Sequence, residues 1–513
     1  MRFALVLGFL VFRMLGVVAQ PAYVPAAFTD PDRLTRIEAV LPRLDAHYRE
    51  QAARRHLPGM IYGVVVDGRL IHSMAWGNAT LDPVRPVDAG TRFRIASMTK
   101  SVTAMAILKL RDAGRLSLED PVEKYVPAFR RVAPLTTDSP RPTIRHLLKM
   151  TAGFPQDDPW GDRRLADSVA QLEALVSGGL EFSNPPGVTW EYSNLGYTLL
   201  GQVVSRASRR PFQEYITREI LRPLGMTDTV WEYSQVPEGR MAQGYRWEHD
   251  AWIPEPLLHD GTFGAMGGLI TTLEDFARYV ALHLDAWPPR NDPERGPVRR
   301  ATLREMHRPS EVLSVITNNP TLDGTANPRV AGYSYGLSWN SDARGVTWLR
   351  HGGGLPGFGS EHRFLPEYGV GLISFANLTY APMTAVNAEA MEILVTAARI
   401  PARTPVASPI LRRRAEQVAA ILQHWDPAEM TDALSPNFFQ DRSEADWRVL
   451  AGDLLAQCGP IRSASAVRPE NQLRGRFDLV GERGKVEVFL TLMPQTPPRV
   501  QEVKLMMIPE ATP

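Results

Sequence analysis

A chain of 513 residues that is 44% apolar and 22% charged lies in the ordinary range of globular proteins and is long enough for two or three domains. With 57 basic and 56 acidic side chains the net charge is +1, so there is no electrostatic case for a nucleic-acid partner, and a small molecule or peptide is the expected one. A single cysteine, Cys458, excludes an internal disulfide framework and reads as a small buried hydrophobe.

The chain opens with MRFALVLGFLVFRMLGVVAQ, a basic start, an apolar run and small residues at Val17 and Ala19. This pattern predicts an export signal over 1–19, and with it a periplasmic or secreted protein. Arg13 interrupts the run, which leaves an uncleaved N-terminal anchor as the alternative; the run is too short for a stable membrane span. PDRLTRIEAVLPRLDAHYREQAARRH then carries helical periodicity. Two apolar runs around Asp67-Gly68 predict a hairpin. RIASMTKSVTAMAIL, residues 94–108, opens a helix expected over 97–113, with Gly114 to end it.

From about 115 to 330 the pattern is helical pieces broken by Pro- and Gly-rich loops, with little alternation. Alternation returns in AGYSYGLSWNSD, VTWLRHGGG and SEHRFLPEYGVGLISFANL, and MTAVNAEAMEILVTAARI closes as a helix. Strands at both ends of a region with helices between predict an α/β fold of α+β type. One antiparallel sheet, built from distant segments and flanked by helices, would carry a separate helical lobe within 115–330, with a site in the cleft between them. PARTPVASP, 401–409, is a linker by composition. The expected division is 20–403 for the main domain and 404–513 for a small α+β module, which resembles the cone-shaped nuclear-transport-factor-2 and cystatin domains.

The chemistry concentrates in three short elements. Ser97 and Lys100 stand one helical turn apart, so the amine can reach the hydroxyl and serve as the base a serine nucleophile needs. The helix start favours a developing oxyanion, and the apolar residues Val102, Met105, Ile107 and Leu108 supply the desolvation that lowers a lysine pKa. Tyr192 and Asn194 flank Ser193 on a loop before a helix, and RHGGGLPGF at 350–358 is a glycine-rich segment after a strand. Singly, the last two read as a cap and a turn.

Ser-x-x-Lys, Tyr-x-Asn and His-Gly-Gly in this order resemble the signature of the penicillin-recognising serine hydrolases. The resemblance is closest to class C β-lactamases and their D,D-carboxypeptidase, D-aminopeptidase and esterase relatives, and flanking segments such as TIRHLLKMTAGF and GAMGGLITTLEDFARY agree over about 33–400. The resemblance implies Ser97 as the acylated nucleophile, Lys100 as its base and Tyr192 as proton relay, with either Lys100 or Tyr192 taking the first proton. It implies Asn194, His351 and Gly353 as substrate-binding residues and the backbone of Ser97 and Gly354 as the oxyanion hole. No cofactor is implied. Where many relatives have Lys-Thr-Gly, this chain has His351 and Gly352, a weaker holder of a carboxylate. That favours an ester or amide without a free carboxylate over D-Ala-D-Ala peptides or β-lactams. A catalytically retired binding or assembly protein of the same fold is the reading from another class, and oligomeric state is left open.

Other motifs mislead. GYSYG, 332–336, fits a nucleophile elbow at Ser334, but LSWNSD after it alternates like a strand instead of opening a helix. GGGLPG, 352–357, fits a dinucleotide fingerprint without the helix such a site requires. No His-Glu-x-x-His or Cys-x-x-Cys supplies a metal ligand set. His146 reads as structural, and Trp160 and Trp190 read as core residues that could alternatively line the cleft.

Overall fold

The structure is a computed structural model in which residues 23–509 are described; the expected leader at 1–19 lies outside the described residues. They form two units, 28–402 and 23–27 with 403–509. In the first unit the helix α1 (Arg33–Arg54) buries Ile37, Val40, Leu44, Tyr48 and Ala52, an i, i+3, i+4 stripe that presses it onto a sheet. The strands β1 (Gly59–Val66) and β2 (Arg69–Leu81) follow, joined at Asp67 and Gly68 with φ of 48° and 78°. Both turn residues are left-handed, the geometry that matches strand twist and that Gly and Asp tolerate.

A short β3 (Val84–Pro86) and six later strands complete an antiparallel nine-stranded sheet. The later strands are β4 (Glu311–Ile316), β5 (Arg329–Tyr333), β6 (Ser338–Asp342), β7 (Thr347–Leu355), β8 (Phe358–Leu365) and β9 (Val370–Ala376). The order is β3-β2-β1-β9-β8-β7-β6-β5-β4, so the sheet closes where the early β1 meets the late β9, with Tyr62 opposite Ser374. This is the sheet from distant segments that alternation predicts.

Helices cover both faces. Four enter here: α2 (Thr99–Asp112), α3 (Asn194–Ser208), α4 (Leu273–Asp285) and α5 (Met383–Ala397). On one face α1 packs with α5; on the other, α4 lies against β1, β8 and β9, and α2 packs on α3 beyond it. The helical region does not run unbroken from 115 to 330. A hairpin of Tyr245–Glu248 with Ala251–Pro254 and the strand β4 fall inside it, and α4 belongs to the sheet. Val312 and Val315 of β4 are about two-thirds exposed, at 69% and 66%, and Leu313 packs on the core only half-buried, so this edge strand has no fully buried face to impose alternation on its sequence.

The second unit packs α6 (Pro409–His424), α7 (Pro427–Ala433) and α8 (Glu444–Cys458) with a five-stranded sheet that ends in Val500–Pro509. Leu411, Val418 and Leu422 of α6 share a core with Phe477, Val488 and Leu490. Cys458 is fully buried, its thiol 3.1 Å from the carbonyl of Gly484.

One buried polar knot ties α1, α5 and the sheet together. The Tyr48 hydroxyl and the Ser374 hydroxyl donate to Asn387 Oδ1 at 2.7 and 2.8 Å, and Asn387 Nδ2 donates to Glu361 at 2.6 Å. Glu361 in turn accepts from Arg363 at 3.0 Å. Replacing Asn387 with Leu strands two hydroxyls and part of a buried carboxylate; urea unfolding followed by tryptophan fluorescence is expected to show a loss of about 3 kcal/mol.

Candidate active site

Ser97 stands in a 3-10 turn, Ala96–Met98, that runs directly into α2. Ala96 has φ of 49°, a left-handed conformation that costs a non-glycine residue about 1 kcal/mol or more and persists only when its surroundings impose it. The surroundings are specific. The Ser360 hydroxyl of β8 donates to the Ile95 carbonyl at 2.7 Å, the Ile95 amide donates to Leu269 at 3.1 Å, and the Leu269 amide donates to the Thr99 hydroxyl at 3.2 Å.

Lys100 is completely buried. Its three donors meet three uncharged acceptors: Ser97 Oγ at 2.9 Å, Asn194 Oδ1 at 2.7 Å and the Met266 carbonyl at 3.0 Å. Burial pushes its pKa down from 10.5 to about 8, against the pull of Asp162, Asp158 and Asp157 at longer range. The ammonium also lies 4.8 Å from the centre of the Tyr192 ring. Burial raises the Tyr192 phenol well above its usual value, and the neighbouring Ser97 hydroxyl lowers it part of the way back. Hydroxyl, amine and phenol therefore share one small volume.

Asn194 is the first residue of α3, and its own position is built by acids that the sequence reading passed over. Asp157 accepts from the backbone amides of Asn194 and Leu195, both at 2.7 Å, capping the helix. Asn194 Nδ2 donates to Asp158, and the Tyr380 hydroxyl donates to Asp162 at 3.1 Å. Burial, reinforced by Asp158, raises Asp162 to about 6. With its amide nitrogen held by acids, Asn194 presents its oxygen to Lys100.

On the opposite wall, His351 and the following glycines belong to β7. His351 Nδ1 donates to the Gly352 carbonyl at 2.6 Å, which leaves Nε2 to accept from the Tyr333 hydroxyl at 3.4 Å. Burial and the Lys100 charge lower its pKa to about 3, so the imidazole is neutral. A Cβ on Gly353 would stand 2.2 Å from the Ile95 carbonyl oxygen, so glycine there lets this strand approach the Ser97 turn, and one on Gly354 would stand 2.6 Å from Tyr380. A Cβ at Gly352 would stand 2.5 Å from Thr384 Oγ1, so a hydroxyl does reach the spot where the sequence alone shows none.

These groups surround a cleft of about 650 Å³. Ser97, Tyr192, His351, Gly353 and Gly354 line it, and Lys100 and Asn194 lie buried beneath. Asp158, Asp162, Arg350, Tyr380 and Thr384 line it as well, together with Trp190, for which the sequence leaves cleft and core both open. The signal for the acids, three aspartates in PQDDPWGD, is present in the sequence but its meaning depends on where α3 begins. Trp160 is 42% exposed and His146 reaches back to the Thr143 amide at the start of its helix. Ser334 is buried and no helix follows it, and GGGLPG starts inside β7, so neither has the geometry its motif requires.

Comparison with known proteins identifies the family and the fold. Residues 44–396 match the family model described as Beta-lactamase, and the chain belongs to that family. It is 28% identical over 351 residues to Protein flp of Staphylococcus aureus (strain COL), a match that covers 66% of this chain and 64% of that protein, just under two thirds of its length. It is 26% identical over 399 residues to Beta-lactamase-like protein 2 of Dictyostelium discoideum, covering 76% of this chain and 68% of the relative. Among solved structures, the octameric penicillin-binding protein homologue from Pyrococcus abyssi superimposes with a TM-score of 0.58 at 19% identity, over 92% of this chain and 96% of that one. A penicillin-binding protein from Bacillus halodurans gives 0.53 at 23% identity, over 67% and 98%. These two likenesses define the fold. No helix among the described residues is long and apolar enough to cross a membrane.

The glycines give a direct check. Gly353→Ala must displace backbone and is expected to lower the unfolding free energy by about 2 kcal/mol, whereas Gly352→Ala, which meets only a side-chain hydroxyl able to rotate, is expected to cost less than half of that. Chemical denaturation of the two variants side by side reads the difference.

Proposed function

We propose that the protein is a serine hydrolase that forms an acyl-enzyme on Ser97 and cleaves an ester or amide bond in a substrate without a free carboxylate. The observation that carries this reading is the fully buried Lys100 amine, 2.9 Å from Ser97 Oγ and lowered to about 8. In its neutral form the amine can accept the Ser97 proton as Oγ attacks the carbonyl carbon. The carbonyl oxygen becomes an oxyanion facing the backbone amides of Ser97 and Gly354. The tetrahedral species collapses as a proton passes through Tyr192 to the leaving group, and water attacks the ester by the reverse route. Asn194 holds the lysine in register between its two charge states.

Substrate choice follows from charge. Among the described residues Arg350 is the one cation in the cleft lining, and beside a neutral His351 the carboxylates of Asp158 and Asp162 outnumber it, which disfavours an anionic substrate whatever Thr384 contributes. This supports an ester or amide over a β-lactam or D-Ala-D-Ala peptide. A retired binding protein would not need a lysine held at this energetic cost. The N-terminal apolar run supports action outside the cytoplasm, which secretion of the full chain into periplasm or medium would test.

Two outcomes are expected. Ser97→Ala should abolish fluorophosphonate labelling and reduce hydrolysis of a short-chain p-nitrophenyl ester by about 10⁴-fold or more, while wild-type turnover of that ester exceeds turnover of nitrocefin. Because Lys100 acts unprotonated, kcat/KM should rise with pH and level off above about 8, with no inflection from His351 near neutrality. A profile that falls as pH rises through 8, or labelling that persists in Ser97→Ala, contradicts the assignment.

A further inference from the structure

A second cavity, of about 470 Å³, lies on the face of the sheet that carries α5 and borders the cleft at Arg350, Pro382 and Thr384. Along β7 the side chains alternate, so Trp348 and Arg350 project to this face while His351 projects to the other. Arg350 stands directly opposite Arg363 of β8, and like charges in cross-strand register repel. Arg329 of β5 lines the same cavity, over the Trp348 ring.

The counter-charges are already used. Glu361 is shared by Arg363 and Asn387. Asp342 and Glu392 both bind Arg344 at the far side of the cavity, and Glu389 faces Gln51 and His47. Arg329 keeps only Asn340, at 2.6 Å, and its Nε is buried without a partner. The Arg350 guanidinium has no hydrogen bond or ion pair to any described residue. The Trp348 indole N–H beside them is also buried and unpartnered.

From these unspent donors we infer that the cavity is a binding site for a small organic anion, a carboxylate or phosphate-type group carrying an apolar body, held between Arg329 and Arg350 with its body against Trp348. Guanidinium groups suit such ligands because their fork of N–H donors matches two oxygens at once, and buried donors left unpaired gain most when an acceptor arrives. Burial and the neighbouring arginines lower Arg350 to about 10, the direction expected of a cation that lacks its counter-ion. The volume admits a single ring or short chain besides the anionic head.

The test uses the full chain carrying Ser97→Ala, titrated calorimetrically with benzoate and with phenylphosphonate, and with benzyl alcohol as the neutral control. Saturable binding of at least one anion, absent with the alcohol, is expected, and Arg329→Gln should weaken it by about tenfold or more while Arg329→Lys retains part of it. Arg329 does not border the catalytic cleft, so loss on its substitution separates this cavity from the cleft. Free Arg329→Gln is expected to melt at or above the parent temperature, since it removes one of three adjacent like charges. Failure of both anions to saturate, equal binding of the alcohol, unchanged affinity in Arg329→Gln, or a marked fall in its melting temperature overturns the inference.

Discussion

A lysine amine taken wholly out of water, with only neutral oxygens in contact, is the constraint around which this site is built. Moving its pKa from 10.5 to about 8 corresponds to roughly 3 kcal/mol against the charged form. A carboxylate in contact would remove that penalty and with it the amine's capacity to accept a proton. The nearest acids, Asp157, Asp158 and Asp162, instead bind Asn194, the start of α3 and Tyr380. Their field reaches the lysine without neutralising it.

The rest of the first unit holds that arrangement rigid. The strained Ala96 turn is imposed by hydrogen bonds from β8 and from the segment before α4, and β7 can come close only because glycine occupies 353. The sheet that delivers β7 and β8 is in turn fixed to α1 and α5 through Tyr48, Asn387 and Glu361. Three segments far apart in the chain thus converge because one antiparallel sheet and its covering helices leave them no other place.

Much of this was legible in the sequence where physics is local. Asp67-Gly68 announced its hairpin, alternation announced β5 to β9, and Ser97 with Lys100 announced a shared helical face. What was not legible depends on juxtaposition across the chain. PQDDPWGD carries no sign that its acids would cap α3, and Tyr380 and Thr384 acquire meaning only once the chain after β9 folds back over the cleft. The facing pair Arg350 and Arg363 is a matter of strand register. β4 escaped notice because its valines face outward, and the short 245–254 hairpin because its exposed strand residues leave no buried stripe.

The most direct measurement is the proton affinity of Lys100 itself. In protein labelled at the lysine side chains, NMR titration with Lys100 assigned by substitution should show one amine changing charge near pH 8 while the others titrate at ordinary values. A Lys100 resonance that titrates at the usual 10.5 would mean that the amine stays charged well above neutral pH beside Ser97, and would contradict the proposed role as the base.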